Sequence, residues 1–309
     1  MGKRAFIFPG QGSQYVGMGK DLFDNSKVVR DLFDKAEQIL GYRISEIMFE
    51  GPKEKLRQTQ ITQPAIFLHS ISILNLIDDV DFQAVSGHSL GEYTALVANN
   101  VLNFEEALYL VKKRSEAMAE AGQLQPGTMA AVIGLDVKTL EDICSEASKE
   151  GIVTCANFNS PGQIVISGSK TGVIKAMELS KTAGAKIVKE LVVSGAFHSP
   201  LMLAAQSKLN EALNNTTFND TVIPVYSNVS AKPVTSKNEI KNNLLTQLSN
   251  PVRWEETIVN MINDGISEFV EIGPGKVLQG LIKRIDKSVT LIGLDKFNDI
   301  SQKMVLSND

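Results

Sequence analysis

The chain has 309 residues, of which 43% are hydrophobic and 21% are charged. This composition is typical of ordered globular proteins and excludes a disordered or low-complexity chain. The formal net charge of -4 excludes a general electrostatic attraction to nucleic acid or to an anionic membrane, so we expect neither as a partner.

The two cysteines, Cys144 and Cys155, carry information about the environment of the protein. Their spacing is not that of a zinc site, and their number is far below that of a secreted disulfide scaffold. The N-terminal apolar segment ends at Pro9 and is too short for a signal peptide or a membrane span. We therefore predict no metal site and a cytoplasmic location.

The first part of the chain has the apolar periodicity of an α/β protein. The predicted elements are a strand at 5–8, helices at 27–40 and 64–77, a strand at 82–85, and helices at 89–97 and 105–119. Pro64 is expected in the first turn of its helix, where a missing N–H has no cost. The glycine-rich segment 9–12 predicts a loop after the first strand.

A second unit is predicted after a Gln125-Pro126-Gly127 connection. Its elements are a strand at 129–133, a helix at 137–150, strands at 152–156 and 163–167, a helix at 170–183 and a strand at 186–191. A turn is expected at 159–162. This βαββαβ order is typical of a ferredoxin-like unit.

The α/β pattern then resumes, so the second unit is an insertion in the first. The resumed elements are a helix at 200–214, a strand at 222–227, a helix at 254–264 and a strand at 268–271. We predict an α/β-hydrolase-like catalytic core with a parallel sheet, formed by residues 1–122 and 196–309, and an inserted ferredoxin-like subdomain formed by residues 123–195.

The segment Gly87-His88-Ser89-Leu90-Gly91 fits the G-x-S-x-G pattern of a nucleophilic serine between a strand and a helix. Glycines let the strand and helix approach closely, while the turn holds Ser89 exposed and strained. The Leu90 N–H, at the helix start, points to where an oxyanion would form. The alternative is an ordinary glycine-flanked turn with a capping serine.

A serine nucleophile needs a base, and the chain has three histidines. His88 adjoins the serine and is expected to shape or pack the turn, and His69 lies in an apolar helix as a packed or surface residue. By elimination His198, in the loop where the insertion returns to the core, is the candidate base. Its alternative is a capping or structural role.

The loop Gly10-Gln11-Gly12 lacks the third glycine of a dinucleotide-binding motif and the Gly-Lys-Ser/Thr of a P-loop. Phosphate binding is therefore not indicated. A Gln11 amide could instead donate a second hydrogen bond to the oxyanion.

Five separated blocks of the chain resemble one family. They are Phe8-Pro9-Gly10-Gln11-Gly12-Ser13-Gln14, Gly87-His88-Ser89-Leu90-Gly91-Glu92, Ala196-Phe197-His198-Ser199-Pro200, Asn250-Pro251-Val252-Arg253-Trp254 and Glu271-Ile272-Gly273-Pro274-Gly275. The family is that of the malonyl-CoA:acyl-carrier-protein transacylases of fatty acid synthesis and the acyltransferase domains of polyketide synthases.

The resemblance implies a ping-pong transfer of malonyl from malonyl-CoA to the phosphopantetheine thiol of acyl carrier protein, with no permanently bound cofactor. It implies Ser89 as nucleophile and His198 as general base and then general acid. Gln11 and the Leu90 amide would hold the oxyanion. The backbone carbonyl of Gln247 matches the group that orients the histidine, in place of a carboxylate.

Further residues gain a role only from the resemblance. Arg114 matches the arginine that pairs with the substrate carboxylate, whereas sequence alone favours a solvated helix charge. The glycine that usually follows that arginine is Ser115 here, so the packing around Arg114 could differ. Phe197 matches the malonyl-selecting form of its motif, because a bulky side chain beside the base would crowd a branched substrate; the alternative is that Phe197 simply packs.

Asn157, Asn159 and His88 are additional candidates for the cleft. For the two asparagines a role as turn residues is equally compatible with the sequence. Lys186 and Lys189 are candidates for docking an acidic carrier protein. We expect a monomer, because no coiled coil or large apolar segment demands assembly.

Three other functions remain open at this level. A discrete polyketide-type acyltransferase would share every motif. A serine esterase or thioesterase on an α/β-hydrolase fold would share the Ser89 turn but would use water in the second step. A noncatalytic scaffold that binds carrier protein would keep the fold without the chemistry.

Overall fold

The computed structural model describes residues 2–77 and 80–303. Outside the described residues lie Met1, Asp78, Asp79 and residues 304–309. The predicted core begins at residue 1 and ends at residue 309, so both of these predicted ends also lie outside the described residues.

The strands and helices alternate along most of the chain. The strands are β1 (Lys3–Phe8), β2 (Ala84–Gly87), β3 (Gly127–Ile133), β4 (Val153–Ser160), β5 (Gln163–Ser169), β6 (Ile187–Glu190), β7 (Val225–Tyr226), β8 (Pro233–Val234), β9 (Ile266–Ile272) and β10 (Thr290–Leu294). The helices are α1 (Lys20–Asn25), α2 (Lys27–Leu40), α3 (Ile44–Glu50), α4 (Lys53–Leu56), α5 (Thr59–Leu74), α6 (Gly91–Ala98), α7 (Phe104–Leu124), α8 (Val137–Ala147), α9 (Lys170–Thr182), α10 (Leu203–Asn214), α11 (Lys237–Gln247), α12 (Trp254–Asn263), α13 (Val277–Ile285) and α14 (Phe297–Lys303), with a 3₁₀ turn at Pro200–Met202.

The larger sheet has the strand order β10-β9-β1-β2-β7-β8. Its first five strands are parallel, and β8 joins β7 antiparallel. Helices cover both faces, so Phe6 and Phe8 of β1 enter one core while Ala5 and Ile7 enter another. A strand buried on both faces is a continuous apolar run, which is why the sequence of β1 does not alternate.

The smaller sheet is antiparallel, with the order β4-β5-β3-β6. It has a core of its own, in which side chains of the strands pack with those of α8 and α9. The β-α-β-β-α-β order of this segment is the one predicted from the sequence. The predicted α/β fold is likewise confirmed, but the sheet predicted to be parallel is mixed, because β8 joins its edge antiparallel.

Close backbone contacts connect the smaller sheet to the rest of the structure. Val252 exchanges backbone hydrogen bonds with β4, accepting from Phe158 N and donating to Ala156 O, both at 2.9 Å. Where the chain leaves and re-enters the core, Gly122 packs so closely that a Cβ there would lie 2.3 Å from the carbonyl oxygen of Ser194. Asn159 of β4 also lies 2.9 Å from the His88 ring, directly after β2, so the smaller sheet lies beside the serine turn at the carboxyl end of β2.

Several predicted bounds were wrong. Pro64 lies inside α5, not in its first turn, because that helix begins at Thr59 and is buried along most of its length. The helix after the serine turn begins at Gly91 and leaves Ser89 outside it. The predicted turn at 159–162 is shorter, because β4 continues through Ser160.

Within the described ranges, no helix combines the length and the apolar character that crossing a membrane requires.

Candidate active site

The turn that carries Ser89 joins β2 to α6 and depends on its two glycines. A Cβ on Gly87 would lie 1.9 Å from the Gly91 carbonyl carbon, and one on Gly91 would lie 2.0 Å from the Phe8 carbonyl oxygen. Ser89 itself has φ 53°, in the left-handed region that non-glycine residues rarely adopt. The turn is therefore both crowded and strained, as the G-x-S-x-G pattern predicts.

The strained Ser89 peptide is held from both sides by side chains distant in sequence. Its N–H donates to Asn228 Oδ1 at 2.6 Å, and its carbonyl accepts from Gln247 Nε2 at 3.1 Å. Asn228 Nδ2 also donates to the Gly87 carbonyl at 2.6 Å. These contacts stabilise the conformation that presents the serine hydroxyl to the cleft.

His198 lies next to Ser89, with Nε2 2.9 Å from Ser89 Oγ. Its Nδ1 lies 2.9 Å from the backbone oxygen of Gln247, which can only accept, so Nδ1 carries the proton and Nε2 is free to receive one. His198 also has a positive φ of 60°. The structure thus brings together the serine, the histidine and the carbonyl that the sequence predicted.

His198 is neutral at physiological pH. Burial, and next the positive charge of Arg114, lower its pKa to about 3. An imidazole in this state is ready to take the proton of the serine hydroxyl, and the protonated form is costly until a negative charge arrives.

Arg114 is buried on α7, so its interpretation as a solvated helix charge was wrong. One guanidinium nitrogen donates to Gln63 Oε1 at 2.6 Å, and the other donates to Ser89 Oγ at 2.9 Å and to Gln247 Oε1 at 2.8 Å. Burial lowers its pKa from the ordinary value. The hydroxyl of Ser115 bonds to the Lys112 carbonyl of its own helix, which accommodates the serine beside Arg114.

These groups open onto a cavity of about 350 Å³ between the two sheets. Its polar end contains Gln11, Gln63, Ser89, Leu90, Arg114 and His198. Its walls are mainly apolar and include Met118, Met129, Val165, Phe197 and Leu278. A mostly apolar pocket with a few converging polar groups is the usual form of a substrate site.

Asn157, Asn159 and His88 also line the cavity. The two asparagines lie on β4, so their alternative role as turn residues was wrong. His88 Nε2 lies 2.9 Å from Asn159 Oδ1, and its ring packs 5.6 Å from that of Trp254. Burial lowers the pKa of His88. As predicted, His88 packs the turn, and within the described part of the chain no hydrogen bond joins it to Ser89 Oγ.

His69 is fully buried on α5, with Nε2 3.3 Å from Asp295 Oδ1, so the packed interpretation is the right one. Across the described part of the chain, no three His, Cys, Asp or Glu side chains converge in a way that could hold a metal ion.

Sequence reasoning assigned no role to Gln63, Glu92 or Asn228. A signal for Asn228 existed, because it follows β7 as Ser89 follows β2, and the carboxyl ends of adjacent parallel strands meet at one edge of a sheet. Gln63 and Glu92 lie within helices, and nothing in the apolar pattern around them marks them as parts of a site.

Comparison with known proteins agrees with this geometry. The family model of the acyl transferase domain matches residues 5–306. The malonyl CoA-acyl carrier protein transacylase of Bacillus subtilis is 46% identical, over 95% of this chain and 94% of its own length.

Solved structures show the same similarity. An acyl carrier protein S-malonyltransferase from Vibrio cholerae is 40% identical and superposes with a TM-score of 0.93, over 97% of this chain and 99% of its own. A malonyl-transacylase solved in complex with a type II polyketide acyl-carrier protein is 39% identical, with a TM-score of 0.94, over 99% and 100% of the two chains. The chain therefore belongs to the acyl transferase family, among the malonyl CoA-acyl carrier protein transacylases.

Proposed function

We propose that the chain transfers malonyl from malonyl-CoA to the phosphopantetheine thiol of an acyl carrier protein and so supplies extender units for fatty acid synthesis. The observation that carries the proposal is that Ser89 Oγ lies 2.9 Å from both His198 Nε2 and an Arg114 nitrogen. A base and a buried cation at one hydroxyl suit an acyl group that bears a carboxylate. The names of the relatives support these substrates.

In the first half-reaction, Ser89 Oγ attacks the thioester carbonyl carbon while His198 Nε2 takes its proton. The tetrahedral intermediate collapses, the carbon–sulfur bond breaks, and the imidazolium returns the proton to the departing thiolate. The second half-reaction is the reverse: the carrier thiol gives its proton to His198, its sulfur attacks the serine ester, and Ser89 leaves and regains the proton.

The oxyanion of each tetrahedral intermediate would be held by a Gln11 amide and the Leu90 N–H. Both residues line the cavity beside Ser89, and Leu90 precedes the first residue of α6, where backbone N–H groups point away from the helix. Donors that are already in place cost no reorganisation when the charge develops.

Arg114 would pair with the free carboxylate of malonyl. Its charge is one cause of the low pKa of His198, so a malonyl carboxylate on Arg114 would offset that charge and ease formation of the imidazolium. Acetyl would leave the charge uncompensated. The same contact would thus favour malonyl in binding and in the chemical step.

Other residues would set selectivity and docking. Phe197 lines the cavity beside His198 and would crowd a methyl branch on the substrate. Lys189 lies opposite Ala131 of the cavity wall in the β3–β6 register, so the two side chains share a face. Lys189, with the neighbouring exposed Lys186, would attract an acidic carrier protein, and a relative solved with its carrier supports that partner.

We further propose that residues 1–122 and 196–309 form an α/β-hydrolase-like core and residues 123–195 a ferredoxin-like subdomain. The separate hydrophobic core of the smaller sheet and its strand order support the division. We also propose that the protein is a cytoplasmic monomer and has no permanently bound cofactor.

The test is a comparison of acyl acceptors. The protein is first incubated with malonyl-CoA and freed of it, and the malonyl-enzyme is then mixed with holo carrier protein or with buffer alone. We expect rapid loss of the adduct to the carrier and slow loss to water. Equal loss in both would indicate a serine thioesterase, and no adduct at all would indicate a scaffold. Carriers from fatty acid and polyketide synthesis, compared by kcat/KM, would distinguish the two pathways.

A further inference from the structure

One buried carboxylate oxygen accepts hydrogen bonds from both residues whose side chains hold the Ser89 peptide. Glu92 Oε2 accepts from Gln247 Nε2 at 2.8 Å and from the backbone N–H of Asn228 at 3.1 Å. Glu92 is on the first turn of α6 and is 1% exposed. The mechanism derived above gives this carboxylate no role, although burying it is costly.

The two residues that Glu92 binds are the two that hold Ser89, Gln247 through the same amide group and Asn228 through its backbone N–H. Asn228 Oδ1 accepts from the Ser89 N–H, and Gln247 Nε2 donates to the Ser89 carbonyl. A non-glycine residue at φ 53° is strained by roughly 1 to 3 kcal/mol, so it keeps this conformation only if its surroundings enforce it. Glu92 thereby holds the clamp on Ser89, which is the pair of hydrogen bonds from Asn228 and Gln247 to the Ser89 peptide.

Glu92 also determines which way the Gln247 amide faces. With Nε2 directed to the Glu92 carboxylate, Oε1 is directed to Arg114, from which it accepts at 2.8 Å. A flipped amide would place an oxygen against the carboxylate and an NH₂ group against the guanidinium, which both contacts disfavour. Because the Gln247 backbone oxygen bonds to His198 Nδ1, one residue connects the base, the cation and the serine.

We propose that Glu92 is a positioning residue for acyl transfer. It acts through Gln247 and Asn228 to keep His198 and Arg114 within hydrogen-bond distance of Ser89. The inference rests on the proposed role of Ser89 as nucleophile. Glu92 touches none of the reacting atoms itself.

The ionisation of Glu92 supplies a signature of this role. Burial raises its pKa to about 7, against the opposing effects of its hydrogen bonds and of Arg114. A carboxylate accepts hydrogen bonds more strongly than a carboxylic acid, so the clamp tightens as pH rises through 7. His198, with its low pKa, stays neutral around pH 7 and adds no inflection to the dependence of the acylation rate on pH in this range.

The other titratable groups around α6 are accounted for. Arg114 of α7 and Tyr93 of α6 itself interact with Glu92, and burial keeps the pKa of Tyr93 well above its usual range. On other elements packed against α6, His69 pairs with Asp295, Arg4 with Glu268 and Tyr226 with Asp264. Lys3 of β1 donates to the Asp264 backbone carbonyl at 2.8 Å.

The test measures single-turnover formation of malonyl-enzyme in the full-length protein, from about pH 5 to about pH 9, by rapid quench and intact mass. Glu92→Leu removes the acceptor at similar size, and Glu92→Gln keeps an oxygen acceptor without the charge. Glu37→Leu is the matched control, because Glu37 accepts from the Ser45 N–H at 3.1 Å but does not line the cavity. Circular dichroism reports whether each variant folds.

We expect Glu92→Leu to slow acylation by about 10²-fold, the scale of a misplaced reacting group, and Glu37→Leu to leave it unchanged. Acylation by the wild type should rise through about pH 7, and Glu92→Gln should keep most of the rate at high pH with a flat profile.

Two results would overturn the proposal: a folded Glu92→Leu that acylates at the wild-type rate, or a Glu92→Gln that retains the wild-type pH inflection. If Glu92→Leu does not fold, the profile of Glu92→Gln decides alone. Failure of the proposed function would look different, since the wild type would then form no adduct.

Discussion

Arg114 and Ser89 are direct hydrogen-bond partners in the free protein, with a guanidinium nitrogen 2.9 Å from the serine oxygen. The same oxygen lies 2.9 Å from His198 Nε2, so the hydroxyl accepts from the cation while it donates to the base. A substrate carboxylate would take over a guanidinium contact that Ser89 now holds, which links recognition of malonyl to release of the nucleophile.

Arg114→Ala is expected to impair malonyl transfer far more than acetyl transfer. A charge-assisted hydrogen bond is worth about 1.5 to 3 kcal/mol, which corresponds to a loss of roughly 10- to 100-fold in kcat/KM for malonyl-CoA. Removing the positive charge also makes His198 more basic, so acetyl transfer should persist. Arg114→Lys is the matched variant, because it keeps the charge without the planar fork. An equal loss of kcat/KM with both substrates would show that Arg114 does not bind the malonyl carboxylate.

His198 should make stability depend on pH. Its pKa is about 3 in the folded protein and about 6.5 when unfolded, so between these values the unfolded chain binds more protons and the folded state loses stability as pH falls. Between pH 6.5 and pH 5 this effect amounts to about 1.6 kcal/mol, because the unfolded histidine is already half protonated at pH 6.5 and approaches the full 1.36 kcal/mol per pH unit only below it.

Urea unfolding of the wild type and of His198→Gln at both pH values measures this difference. The variant cannot bind the extra proton in its unfolded state, so its free energy of unfolding should fall less on acidification. A fall of the same size in both proteins would show that His198 is not a buried neutral base.

Phe197→Ala is expected to open the cavity wall beside His198 and to raise kcat/KM for methylmalonyl-CoA relative to malonyl-CoA. Phe197 is 5% exposed and lines the cavity, so the truncation leaves space where a methyl branch would point. Met118→Ala enlarges the same cavity at its apolar wall and serves as the comparison. A relative preference that shifts no more than with Met118→Ala would mean that Phe197 only packs.

Lys189→Glu should raise the KM for carrier protein while leaving the acylation step with malonyl-CoA unchanged. The carrier half-reaction of the wild type should also slow as salt is added, because attraction between exposed charges is screened. Lys138→Glu, on α8 and paired with Asp142, is the control for a change of surface charge. Salt-insensitive carrier kinetics would place the docking surface elsewhere.

Much of the fold followed from local patterns. The helix at 27–40 was predicted from its apolar spacing and has these bounds in the structure, where Ser26 caps one end and Gly41, in the left-handed conformation, ends the other. Pro64 misled the prediction of α5, since tertiary burial keeps that helix intact across a residue that cannot donate. The strand predicted at 222–227 is only two residues long, Val225–Tyr226, and the edge strand β8, also of two residues, was not predicted because so short a pairing leaves little signal in sequence.

Site residues could be predicted from the sequence where a local motif determines the backbone geometry. They could not be predicted where the site depends on contacts between residues far apart in sequence. The turn at Ser89 follows from glycines that alone fit between β2 and α6. The burial of Arg114 depends on Gln63 and Gln247, which lie far away in sequence, and only the family resemblance pointed to it. Glu92 makes buried polar contacts that the apolar periodicity of its helix does not indicate.

The most direct test of the central claim is peptide mapping after brief incubation with malonyl-CoA, in the wild type and in Ser89→Ala. The account predicts one malonyl group per chain, on the peptide that contains Ser89, and no adduct on the folded variant. A malonyl group that persists in Ser89→Ala, or that maps to another residue in the wild type, would contradict it.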